Sequence, residues 1–191
     1  VNDVAISNDG KYYSTVCDDD KVYVFVRGTS SSWTQTLDGD ATRLAMTPDG
    51  RYLAVSSKDG KVYKFTNSLT QIWSFDTGED AWSVDISDNG QIVSVGNRDS
   101  EVYVLNSSGS QLWRYTGTGN FNQLDISGDG RYLIAGQDDG NILLFDVSNS
   151  TPYGEYDVGN FVSYTEYVSD QLALSYFGDW FVDVSKDKYL R

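Results

Sequence analysis

The chain has 191 residues, 28 acidic and 14 basic side chains and a formal charge of -14, a length that suits one domain or two small ones. The acidic balance excludes the basic stripe that neutralises nucleic-acid phosphates, and it argues equally against docking on anionic lipid. Histidine is absent and Cys17 is the single cysteine, which removes an intrachain disulfide, His/Cys zinc sites and the His-dependent nucleophile systems.

No apolar run approaches the ~18 residues of a membrane helix. The chain begins at Val1 with no start methionine and no signal peptide, as expected of a processed form or a fragment. Along it runs a repeat with a period of 40 residues and no insertion, in which Gly10, Gly50, Gly90 and Gly130 share one column behind Asp9, Asp49, Asn89 and Asp129. Such self-similarity marks a repeat architecture.

Each unit reads as four short strands. The first carries an alternating apolar pair: Val4 and Ile6, Leu44 and Met46, Val84 and Ile86, Leu124 and Ile126. The turn that follows, Ser7-Asn8-Asp9-Gly10 and its equivalents, ends in an Asp-Gly or Asn-Gly pair that tolerates the positive φ of a tight hairpin. The second strand is the stretch typified by 132–136. A second Asp-rich turn, as in Lys58-Asp59-Gly60 and Asp138-Asp139-Gly140, leads to the third strand. That strand carries Val22-Tyr23, Val62-Tyr63, Val102-Tyr103 and Ile142-Leu143, residues suited to a sheet. The fourth strand bears Trp33, Trp73 and Trp113, a column continued by Tyr153. A fifth, degenerate copy starts at Phe161, keeps Tyr164, Leu172, Leu174, Val182 and Val184, and has Ser169-Asp170 in place of the turn.

Four antiparallel strands in every unit predict an all-β chain, a β-propeller of about five blades. The expected blades are 1–40, 41–80, 81–120, 121–160 and an incomplete 161–191, in a single domain over 1–191. The alternatives for the whole are a segment of a larger propeller, a five-bladed ring, and an arc that a partner closes.

The stretches Val102-Tyr103-Val104-Leu105 and Leu112-Trp113-Arg114-Tyr115-Thr116-Gly117 resemble the quinoprotein-type (PQQ-type) tryptophan repeat. The stretch 84–90 and its equivalents resemble the Ser-Pro-Asp-Gly hairpin of WD-like repeats, although the Gly-His and Trp-Asp signatures of true WD repeats are missing. The resemblance implies a propeller whose connections between fourth and first strands, and between second and third, share one docking face. Propellers of this kind recur in secreted and cell-surface proteins.

Asp occurs 24 times and Glu four, a skew that turn chemistry produces. The alternating acids of a calcium loop do not occur, and Asp18-Asp19-Asp20 reads as a solvated turn. The Ser-x-Asp-Gly spacing is one residue short of the sialidase Asp box. Asp85 and Asp125 share a column on neighbouring innermost strands, which places them near the central channel, where a like-charge pair raises one pKa or binds a cation. The plainer reading is a hydrogen bond to adjacent backbone. Trp33, Trp73 and Trp113 repeat with the fold and read as inter-blade packing, whereas Trp82 and Trp180 break the column. Trp82 and Phe121 fall in fourth-to-first connections. With Asp80, Arg98, Asp99, Gln123 and Gln137 they are the candidate contacts of an aromatic, polar-rimmed binding face. Asn106-Ser107-Ser108 and Asn149-Ser150-Thr151 are N-glycosylation sequons in third-to-fourth loops, on the opposite face.

The expectation is a non-enzymatic binding or scaffold propeller, extracellular or on the cell surface. It docks protein or glycan on its loop face and needs neither cofactor nor metal. The alternatives are a structural subunit that self-associates through open blade edges, and a quinoprotein-like enzyme or channel-mouth hydrolase.

Overall fold

The computed structural model describes residues 1–157, 171–174 and 181–184, the last two stretches by their backbone. Its regular structure is all β. Blade 1 consists of β1 (Asp3–Ile6), β2 (Tyr12–Cys17), β3 (Lys21–Val26) and β4 (Ser32–Thr36), and blade 2 of β5 (Ala41–Met46), β6 (Tyr52–Ser57), β7 (Lys61–Thr66) and β8 (Gln71–Asp76). Blade 3 holds β9 (Ala81–Ile86), β10 (Val93–Asn97), β11 (Glu101–Leu105) and β12 (Gln111–Thr116). Blade 4 holds β13 (Phe121–Ile126), β14 (Tyr132–Gln137), β15 (Asn141–Asp146) and β16 (Gly154–Asp157). Each is a four-stranded antiparallel meander in sequence order. A further antiparallel pair, β17 (Gln171–Leu174) and β18 (Phe181–Val184), carries Leu172, Leu174, Val182 and Val184, and β17 lies against β13 and β14. Phe161, Tyr164, Thr165, Ser169, Asp170, Trp180 and the stretch 185–191 lie outside the described residues.

The first turn of every blade is one hydrogen-bonded device. In blade 1 the Ser7 hydroxyl donates to Asp9 Oδ1 at 2.7 Å and accepts from the Tyr12 N–H, while Lys11 N–H donates to the same Asp9 oxygen. Thr47 and Asp49, Ser87 and Asn89, and Ser127 and Asp129 repeat it. The glycines that follow have φ of 63°, 68°, 68° and 76°, a conformation that costs any residue with a Cβ. The Asp column is therefore committed to holding turns, as its composition implied.

The hydrophobic cores lie between blades. One joins Val16, Val22 and Val24 of blade 1 to Leu44, Leu53 and Phe65 of blade 2. The next joins Ala54 and Val62 to Val84, Ile86, Val93 and Leu105, and the third joins Val102 and Val104 to Leu124, Ile126, Leu133 and Phe145. Each fully buried side chain of this size contributes about 1.5–3 kcal/mol, so a blade gains most of its stability from its neighbours.

Hydrogen bonds cross the same seams at repeating offsets. Asn2 Nδ2 donates to Ala41 O at 2.8 Å, and Thr42 Oγ1 donates to Ala81 O at 2.7 Å. The backbone bonds Asn8 N–H to Pro48 O and Asp88 N–H to Gly128 O tie turn to turn. Trp73 Nε1 donates to Ser107 O at 3.0 Å and Trp113 Nε1 to Val147 O at 2.6 Å, the inter-blade role expected of that column. In blade 1 Val4 is 68% exposed, Ile6 65% and Tyr13 42%, whereas Leu44, Leu53, Val84 and Val93 at equivalent positions are buried.

Candidate binding face around Trp82

Trp82 lies within β9, inside the strand and not in the connection before it. There it is the extra residue of a β-bulge. Ala81 pairs with Asn97 and Ser83 with Gly96, which leaves Trp82 without an opposite number. Thr42 and Asn122 occupy the same bulged position in blades 2 and 4. A bulge re-aims the side chain it carries. In blade 2 that side chain serves the seam, because Thr42 donates to Ala81 O. In blade 3 the neighbouring Ser83 hydroxyl donates to Phe121 O instead, at 2.7 Å. Gly96 makes this approach feasible: a Cβ there would lie 2.5 Å from Ser83 Oγ and 2.7 Å from Phe121 Cβ.

Released from the seam, the half-buried Trp82 is bracketed by two arginines. Arg98, exposed on the β10–β11 turn, places its Cζ 3.7 Å from the ring centroid, in stacking contact. Arg43 of β5 on the neighbouring blade has its Cζ at 6.0 Å, and its Nη1 donates to Thr42 O at 2.9 Å. Both lie within cation–π range. Asp80 is half-buried beside them, and its carbonyl accepts the Arg98 N–H at 3.1 Å. Asp99 is exposed on the same turn. Trp82, Arg98, Asp80 and Asp99 are thus brought together.

The other expected contacts are placed elsewhere. Phe121 is 0% exposed and packs edge-on to Tyr115, its ring centroid 6.5 Å away. It belongs to the core, because it starts β13 in the column held by the buried Ala41 and Ala81. Gln137 is buried too, and its Nε2 donates to Gly119 O at 2.7 Å. Ser57 and Asn97, in the same column, bond Gly39 O and Thr77 O, so these side chains anchor the connections. Gln123 is half-buried on β13, just past the Asn122 bulge.

Asp85 and Asp125 meet across the seam of blades 3 and 4. Asp85 Oδ2 accepts the Ile126 N–H at 2.6 Å. Burial, followed by the negative charge of Asp125, pushes the Asp85 carboxyl well above the ordinary carboxylate range, against the pull of the Ile126 and Ile86 N–H groups. Both the like-charge reading and the backbone hydrogen bond are therefore present at once. In the Asp18–Asp20 turn, Asp18 accepts from Asn2 Nδ2 and Asp19 from the Tyr23 hydroxyl. Among the described residues, no group of three or more His, Cys, Asp or Glu is gathered to hold a metal ion. None of the described helices or strands supplies a helix long and apolar enough to cross a membrane.

Two functional-looking side chains escaped the sequence reading. Arg43 stands where blades 1, 3 and 4 have Asp3, Ser83 and Gln123. Lys64 stands in the apolar column of Val24, Val104 and Leu144, and a cation in such a column was a usable signal. Lys64 is 3% exposed; its Nζ donates to Gly90 O at 2.5 Å and lies 4.9 Å from the Tyr52 ring centroid.

The fold is all β, with four antiparallel four-stranded blades consistent with a WD40-like β-propeller. Comparison with known families agrees: residues 84–169 match the model described as the anaphase-promoting complex subunit 4 WD40 domain, and residues 31–65 match the model described as the WD domain, G-beta repeat. No curated protein matches the chain. WD repeats commonly serve as protein-binding scaffolds, a role with which this fold is consistent.

Proposed function

We propose that the chain is a non-enzymatic docking scaffold that receives a protein or a glycan on the face carrying Trp82. One observation carries the reading. In blade 3 the bulged residue is an indole within cation–π range of both Arg98 and Arg43, at the position where blade 2 uses a threonine to close the seam. An aromatic set among polar side chains and released from packing duty is what a binding surface requires. The reading includes a place outside the cell or on its surface. It is supported by the sequons at Asn106 and Asn149, which lie in the loops between β11 and β12 and between β15 and β16, where an attached glycan leaves the Trp82 face clear. The column resembling the quinoprotein-type repeat donates its Trp73 and Trp113 N–H groups into the seams, and Asp85 is tied to Ile126. Both arrangements favour a scaffold over an enzyme.

The test is quantitative affinity capture from source-cell extract with the wild-type chain and with Trp82→Ala, after thermal melts establish equal folding. Loss of a hot-spot aromatic costs ~2 kcal/mol or more, so retention of the specific partner should fall at least ~10-fold. A partner retained equally by both proteins overturns the reading.

The exposed apolar side chains Val4, Ile6 and Tyr13 favour a second reading, a structural subunit in which another copy of the chain covers them. Exposed apolar patches of this kind associate. Sedimentation over a concentration series should then reveal an oligomer that Ile6→Asp abolishes; a monomer at all concentrations removes this reading.

A further inference from the structure

We propose that the partner segment received at Trp82 is acidic: a carboxylate side chain taken by Arg98 and Arg43, with the apolar residue next to it laid against the indole. This rests on the docking reading above and names the chemistry of the partner.

The repeat supplies its own control. Lys58 and Arg98 occupy the same turn position in blades 2 and 3, each 18 residues after an aspartate, Asp40 or Asp80. Lys58 pairs with Asp40, Nζ to Oδ2 at 2.8 Å. Arg98 forms no such pair with Asp80, and its Cζ lies over the Trp82 ring at 3.7 Å instead. In a chain with twice as many acids as bases, six of the eleven described lysines and arginines, Lys21, Arg51, Lys58, Lys61, Arg114 and Arg131, stand in ion pairs. Among the described residues Arg43 and Arg98, like Lys11, Arg27 and Lys64, have no carboxylate within 4.0 Å, and these two arginines alone share one indole.

Stacking uses the face of a guanidinium and leaves its edge, where the N–H donors lie. That edge matches a carboxylate with two parallel hydrogen bonds. Arg43 has used one donor, on Thr42 O, and keeps the rest of its fork. The exposed part of the Trp82 ring beside the two guanidiniums suits an apolar side chain. A polyanion fits poorly, because Asp80 and Asp99 rim the site and the whole chain carries a charge of -14, which repels an extended run of phosphates. One or two carboxylates on a largely uncharged segment meet the local arginines without that penalty.

The probe is a phage-displayed library of random twelve-residue peptides, selected on the immobilised full chain and read out on individual synthetic peptides by fluorescence polarisation. The expected pool places Asp or Glu next to an apolar residue. Its affinity should fall about tenfold or more, the equivalent of one charge-assisted interaction, in the Arg43→Gln/Arg98→Gln double variant. The same loss should follow when the peptide acid is changed to its amide, a readout on wild-type protein that does not depend on the variant folding. Peptides that require Trp82 but lack acids, or that bind the double variant equally, overturn the proposal and leave docking intact. A selection that yields no Trp82-dependent peptide overturns this proposal and the protein-docking half of the reading it rests on.

Discussion

Asp85 on the inner strand of blade 3 accepts the backbone N–H of Ile126 on the inner strand of blade 4 at 2.6 Å. Asp3 and Leu44 make the same contact between blades 1 and 2, at 3.0 Å. Both acceptors lie 41 residues before their donors, one period plus one. The inner strands are thus stitched by carboxylates to edges that their own sheets leave unpaired, a need that any buried N–H imposes.

The stitch between Asp85 and Ile126 carries an electrostatic cost because Asp125 faces it. A carboxyl raised above its ordinary 3.8 holds its proton longer in the folded chain than in the unfolded one. The stability this lends is complete below the ordinary value and is lost as pH rises through the folded value. Asp85→Asn keeps an acceptor for Ile126 and discards the charge. It should melt higher than wild type at pH 7, with the gap closing toward about pH 4 as Asp85 itself becomes protonated. Thermal melts of the two proteins across that range check it; a variant that melts lower at both ends contradicts it.

Lys64 presents the opposite case. Burial lowers its pKa, so the folded chain releases the proton before the unfolded chain does. The stability linked to this release is full above the ordinary lysine value and is lost as pH falls through the folded value. Desolvating an ion costs several kcal/mol, more than the ~1.5–3 kcal/mol of the charge-assisted hydrogen bond that Lys64 gives Gly90 O. Lys64→Met should therefore be the more stable protein at pH 7, and its advantage should shrink toward about pH 10. Urea titrations at the two pH values measure it.

Two glycines with nearly equal φ separate strain from crowding. Gly28 has a φ of 75° and open space where a Cβ would point. Gly50 has a φ of 68°, but its Cβ would lie 2.8 Å from Tyr12 Cδ2 and 3.0 Å from Ser7 Cβ, both on the neighbouring blade. Gly28→Ala should cost about 1–2 kcal/mol, the backbone penalty alone. Gly50→Ala should cost roughly 1–3 kcal/mol more, the price of overpacking. Denaturant midpoints of the two variants rank them.

The tryptophan column makes a similar prediction for the seams. Trp113→Phe keeps most of the packing against Phe145, whose ring centroid lies 5.3 Å away, and removes the N–H that serves Val147 O. A loss of about 1 kcal/mol is expected for one neutral hydrogen bond. Chemical denaturation measures it, and an unchanged midpoint would mean that the indole is held by packing alone.

The period, the strands and the Asp-Gly turns were legible in the sequence because they depend on neighbours within a few residues. The Ser7, Asp9 and Lys11 device is closed within one turn, so its residues announce it. The binding face was legible in part. Trp82 stood out because it breaks a column, and Arg98, Asp80 and Asp99 are near it in the chain. Phe121 was misjudged because the buried character of its column is carried by alanines, Ala41 and Ala81, which signal little. Gln137 was misjudged because the carbonyl it serves, Gly119 O, is fixed by the path of a connection. The bulge at Trp82 depends on the pairing of β9 with β10. The choice of Arg98 between Asp80 and the indole depends on where that bulge aims the ring. Neither is written in the local pattern.

The central claim, that a partner docks at Trp82, is tested most directly by site-specific photo-crosslinking in source-cell extract. A benzophenone amino acid is placed at Asp99, beside Trp82, or at Ser108, in the loop between β11 and β12 on the other face. The account predicts one discrete adduct from position 99, lost when Trp82→Ala is added, and none of the same mass from position 108. An adduct that forms from position 108 alone, or from position 99 regardless of Trp82, would contradict it.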